Sequence, residues 1–116
     1  MANRSKATGT EAETAVERWL QQNGWPYADR ITLHGGKDIG DIRLADGIPV
    51  TVEVKAGKSA VTAIGTHIDG LWGKMENAGT ETGVVIAKRM RKGNVGEWHA
   101  VMPVNLWVDL IHKVYR

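Results

Sequence analysis

Ile48-Pro49-Val50-Thr51-Val52-Glu53-Val54-Lys55 places a branched apolar residue at every second position. A period of two puts Ile48, Val50, Val52 and Val54 on one side of a strand and Thr51, Glu53 and Lys55 on the other. The stretch therefore predicts a strand with one apolar and one polar face, and its neighbours organise around it. Asp46-Gly47 just upstream is a hairpin signal, so residues 38–44 are expected to be its antiparallel partner. Residues 27–33 read as a further strand, joined to that partner through His34-Gly35-Gly36-Lys37.

Helical periodicity flanks these strands. Thr10 with Glu13 three residues on forms a capping box, and Ala12, Ala15, Val16, Trp19 and Leu20 recur at helical spacing. Gly24 and Pro26 stop that helix. Residues 1–9 are small and polar, expected as a flexible tail. Downstream, Thr66 with Asp69 predicts a second helix with a buried stripe of Ile68, Leu71, Trp72 and Met75, ended by Gly79. Val84-Val85-Ile86 reads as a central strand covered on both faces. Residues 97–102 form a last strand, and Pro103 or Asn105 opens a C-terminal helix with Trp107, Leu110, Ile111 and Val114 on one face. The order α-β-β-β-α-β-β-α predicts an α/β domain over residues 10–116, a mixed sheet of about five strands flanked by helices.

A length of 116 residues fits one domain with one core. With no cysteine, disulfide scaffolds, thiol nucleophiles and thiolate metal sites are excluded. Met1-Ala2-Asn3-Arg4-Ser5-Lys6 has no apolar signal region, and no stretch approaches a membrane span. The expectation is a cytoplasmic protein. A net charge of +2 is small, but Lys88-Arg89-Met90-Arg91-Lys92 concentrates four cations in five residues, which reads either as a solvated turn or, beside a cleft, as a phosphate grip.

The chemistry gathers around Gly40-Asp41-Ile42 and Glu53-Val54-Lys55. A hairpin joining the two strands brings Asp41 near Glu53, because antiparallel neighbours lie about 5 Å apart. Glu53 and Lys55 share a sheet face. Converging carboxylates repel unless a cation sits between them. An all-oxygen donor set without cysteine suits Mg²⁺ or Mn²⁺ rather than Zn²⁺. A lysine on the same face can orient water and meet developing charge, which is what metal-assisted phosphodiester hydrolysis requires.

In the order and spacing of these motifs the chain resembles the PD-(D/E)xK nuclease superfamily, and within it the archaeal-type Holliday-junction resolvases and their small phage relatives. Gly9-Thr10-Glu11-Ala12-Glu13 is similar to the family's opening helix, Gly40-Asp41 to its acidic motif, and Glu53-Val54-Lys55 to its Glu-x-Lys. The resemblance covers roughly residues 8–102. It implies a restriction-endonuclease-like core and a Mg²⁺-dependent endonuclease acting on branched DNA, with Mn²⁺ as a substitute ion. Asp41, Glu53 and the Val54 carbonyl would hold the metal, Glu13 would complete the site, and Lys55 would act on the water and the transition state. It further implies a 5′-phosphate product and, because one site cannot cut two opposed strands, a twofold homodimer; no nucleotide cofactor is expected. Asp38 competes with Asp41, and Glu11 and Glu17 with Glu13. The hydroxyl residue that family resolvases often carry before the aspartate is missing here, Thr32 being nearest.

Lys37, Lys58, Arg89, Arg91 and Lys92 are the expected contacts to DNA phosphates, with His34 bordering the site. Such contacts fix position without reading sequence. The other histidines, His67, His99 and His112, show no metal-ligand spacing. The five tryptophans replace the absent phenylalanine, Trp19, Trp72 and Trp107 as core residues. A nuclease with another DNA substrate, a non-catalytic DNA-binding dimer of the same fold, and a module unrelated to nucleic acid are the alternatives.

Overall fold

The computed structural model describes residues 3–32 and 36–116, the side chains from Lys6 onward. Its elements are α1 (Asn3–Gln22), β1 (Asp29–Arg30), β2 (Ile42–Arg43), β3 (Val50–Lys55), α2 (Ser59–Thr62), α3 (Ile64–Ala78), β4 (Thr82–Ala87), a 3-10 turn (Val95–Glu97), β5 (His99–Val101) and α4 (Val104–Tyr115). The five strands form one mixed sheet in the order β1-β2-β3-β4-β5. β3 and β4 are parallel, as a helical crossover through α3 requires. The other pairings are antiparallel.

The sheet is covered on both faces. Ala12 and Val16 of α1 pack with Ile42, Val52, Val54 and Trp98 on one side. Leu71 and Met75 of α3 pack with Val85 and Leu106 on the other. The alternation of β3 is as its sequence implies, but its polar face is not solvated. Thr51 and Glu53 lie beneath α3 and are as buried as the valines. Gly83 makes that close approach possible, since a Cβ there would sit 2.9 Å from Met75 Sδ and 3.0 Å from Leu71 Cδ1.

Several boundaries differ from expectation. α1 begins at Asn3, so residues 3–9 extend the helix instead of forming a tail. Ala7 and Lys6 are good helix formers, and about two turns of small and polar residues can continue a helix already anchored on the sheet. Thr66 lies inside α3, whose first residue is Ile64. β1 and β2 are reduced to two residues each, although Ile31 N–H still donates to Asp41 O and Asp41 N–H to Val52 O, at 2.9 and 2.8 Å. The break falls at Gly40, whose φ of +106° takes the backbone out of strand geometry. Trp72 and Trp107 are exposed, not core. Leu71 and Leu106 occupy the inward positions, and one residue further round a helix is a rotation of about 100°. His34 lies outside the described residues.

Candidate active site

Two glycines set the frame. Gly40 can adopt its left-handed conformation without strain, and a Cβ there would meet Thr51 Cγ2 at 3.0 Å and the Val52 carbonyl at 3.1 Å. It thus lets the residues before β2 lie flat on β3. Asp41 follows at once, and its Oδ2 accepts the Val54 N–H at 2.8 Å. Gly83 lets α3 settle on the opposite face, bringing Lys74 over Glu53.

Glu53 is the most deeply placed ionisable group in the core, with only 2% of its surface exposed. Its Oε2 accepts from the Lys74 ammonium and lies 3.4 Å from Lys55 Nζ. Its other oxygen, Oε1, is buried without a hydrogen-bond partner. Asp41 feels this neighbour: burial, then the Glu53 charge, raise its carboxyl from 3.8 to about 7 against the pull of the Val54 N–H, with Glu13 adding a smaller repulsion. Burial opposes the charged form of Lys74, but the hydrogen bond and charge of Glu53, with Asp38 and Asp41 beyond, hold it above the usual lysine range.

Glu13 faces the same region from α1, where Arg30 Nη2 lies 3.4 Å from its Oε1. Glu17 is engaged elsewhere, accepting the Arg30 N–H at 2.8 Å, and Glu11 is exposed. Asp38 has a different office from Asp41. Its Oδ1 caps the Gly40 N–H at 3.0 Å, its carbonyl accepts from Asn77 Nδ2 at 2.9 Å, and its Oδ2 lies 3.5 Å from Lys74 Nζ. The structure thus brings Asp41, Glu53 and Lys55 together, with Glu13 near Asp41 and paired to Arg30. Lys74 and Arg30 were not foreseen; a buried glutamate demands a cation, and that demand was the available signal.

Among the described residues no group of three or more histidines, aspartates and glutamates is close enough to hold a metal ion alone. An orphaned Glu53 oxygen next to a carboxyl whose charged form is disfavoured by burial and by Glu53 nonetheless fits a hard cation. Mg²⁺ is commonly held by one or two carboxylates, with water and substrate phosphate supplying the rest. Asp41 and Glu53 are the residues that would hold it, and the donors are oxygen only.

The basic turn begins beside this cluster. Lys88 N–H donates to Lys55 O at 2.9 Å, so the turn leaves the sheet at the carboxyl end of β3 and β4. Trp98 forms its floor: Nε1 donates to Lys92 O at 2.7 Å, and Lys88 Nζ lies 5.6 Å from the ring centre. Arg89 donates to Glu97 O at 3.2 Å and Lys92 lies 3.9 Å from Glu97 Oε1. Arg91, at φ +65°, is exposed, as are Lys37 and Lys58. Among the described residues no carboxylate lies within ion-pairing distance of these three. A cavity of about 220 Å³ between Thr8, Gly57, Lys88, Met90 and Arg91 opens at this end.

Comparison with family models, curated proteins and solved structures returned no match for this chain.

Proposed function

We propose that this protein is a Mg²⁺-dependent DNA endonuclease that hydrolyses phosphodiesters in branched DNA, as a Holliday-junction resolvase does. The observation that carries the reading is the joining of Asp41 to the Glu53-Val54 peptide, with Lys55 on Glu53. Two carboxylates brought together under a helix are costly to a fold that makes no use of them. Mg²⁺ bound there supplies phosphate polarisation and a lower pKa for water. Asp41 is held in place by the Val54 N–H, so its charge does not depend on a freely rotating side chain. Lys55, one-third exposed beside Glu53, would face the phosphate and offset charge as it develops.

Lys37, Lys58, Arg89, Arg91 and Lys92 would grip the backbone of DNA entering beside the carboxyl ends of β3 and β4. His34 is proposed to border the same entrance. Contacts of this kind favour recognition of strand trajectory over base sequence. Cutting two opposed strands needs two sites, hence a twofold homodimer. Val104, Trp107 and Val114 on α4, with Trp72 on α3, are exposed apolar residues that such a pairing would cover. Among the described residues no helix is long and apolar enough to cross a membrane; the cytoplasmic location is part of the proposal.

The test is incubation of wild type and Glu53→Gln with equal amounts of labelled four-way junction and linear duplex, with Mg²⁺. Paired nicks in the junction alone, absent from Glu53→Gln, support a resolvase. Equal cutting of both substrates identifies a nuclease with a broader substrate. Binding without cutting under any divalent ion means a DNA-binding dimer, and no salt-sensitive affinity removes nucleic acid altogether.

A further inference from the structure

The buried Glu53 carboxylate already has a cation on one of its two oxygens, while the other, Oε1, has no hydrogen-bond partner. That cation is Lys74, whose ammonium contacts Oε2 from α3. Lys74 also has a second anion within reach, Asp38 Oδ2 at 3.5 Å. Asp38 is fixed independently of Lys74, through Gly40 N–H and Asn77 Nδ2. It is also half-exposed, whereas Glu53 is 2% exposed. One ammonium therefore faces two carboxylates, one dry and one wet, a short swing apart.

We propose that Lys74 is a resident competitor for the metal position: it neutralises Glu53 in the metal-free protein, and a divalent ion binds by displacing its ammonium towards Asp38. The inference rests on the reading of Asp41 and Glu53 as metal ligands. Its physical basis is that a carboxylate this buried needs close positive charge, and of its two cations Lys55 is the more distant, at 3.4 Å, and the more exposed, so Lys74 carries most of the neutralisation. Exchange of one cation for another keeps Glu53 neutralised throughout, and Asp38 receives the displaced charge where water can share it. By linkage, whatever draws Lys74 away from Glu53 tightens metal binding, and metal binding frees Lys74 by the same factor. Lys74 is thus a positioning residue, acting through Glu53.

The test is titration of wild type, Lys74→Met and Lys74→Arg with Mn²⁺, followed by calorimetry without DNA. Lys74→Met, which keeps the length and loses the charge, is expected to bind Mn²⁺ about tenfold more tightly than wild type. Lys74→Arg, which keeps the charge, is expected not to gain affinity. A second measurement needs no variant: in wild type, the ¹⁵N-labelled Lys74 ammonium resonance should shift as Mg²⁺ saturates the protein. Equal Mn²⁺ affinity in wild type and Lys74→Met, or a Lys74 resonance unmoved at saturating Mg²⁺, overturns the competition while leaving the metal site standing. No binding of either ion by any of the three proteins overturns the competition and the metal site together.

Discussion

The Val54 N–H donates to Asp41 Oδ2 at 2.8 Å, tying the carboxylate at the start of β2 to the peptide that follows Glu53. That one bond fixes the Asp41 carboxyl against the β3 backbone. It holds the Asp41 charge where Glu53 must respond to it, and it uses a backbone donor that no substitution at position 54 other than proline removes.

Asp41→Asn retains an oxygen that can accept from Val54 while losing the charge. The fold is expected to survive, with a melting temperature no lower than that of wild type without metal. Cleavage of DNA should fall by at least about a hundredfold. Parallel thermal melts and single-turnover cleavage assays check both halves.

Acidity offers a second check. Asp41 is raised from 3.8 to about 7 in the folded chain by burial and by Glu53. Between those values the folded protein keeps a proton that the unfolded chain has released, so rising pH favours unfolding. This contribution is complete below about pH 4 and gone once pH passes about 7. Urea melts without metal should show wild type losing stability over that interval relative to Asp41→Asn. Saturating Mg²⁺ should cancel the loss at the upper end.

Gly40→Ala places a side chain at φ +106°, 3.1 Å from the Val52 carbonyl. Strain and overlap with a backbone atom together should cost about 2 kcal/mol or more. Because the displaced residue precedes Asp41, cleavage should fall further than stability alone explains. Denaturant melts compared with activity at a temperature where both proteins are folded separate the two effects.

Lys58→Ala and Arg91→Ala remove exposed cations flanking the proposed DNA entrance. Each should weaken DNA binding alike for all sequences and reduce the dependence of log affinity on log salt by about 0.9. Binding isotherms at several salt concentrations give the slopes directly. A loss confined to one sequence would mean base reading instead.

The sheet was legible because its signals are local. The alternation over residues 48–55, the Asp46-Gly47 turn and the apolar run at 84–86 each report the covered faces of their own strand, and the mixed five-stranded order follows from their connections. What covers a polar face is not local. Nothing in Thr51-Val52-Glu53 shows that α3 buries Glu53, because that depends on Gly83, thirty residues further along the chain, admitting Leu71 and Met75. Lys74 was invisible for the same reason, standing in no motif. The shortness of β1 and β2 traces to one backbone angle at Gly40. In the helices, Trp72 and Trp107 carry strong apolar signals, yet the smaller Leu71 and Leu106 take the inward positions. The tail expected before Thr10 was misread because polar composition does not by itself end a helix.

The most direct test of the central claim is a crystal structure of the protein soaked in Mn²⁺, read by its anomalous signal. The account predicts a single strong peak between the Asp41 and Glu53 carboxylates, with oxygens from both about 2.0–2.2 Å from the ion. A peak elsewhere, or none at a concentration that supports cleavage, would contradict it.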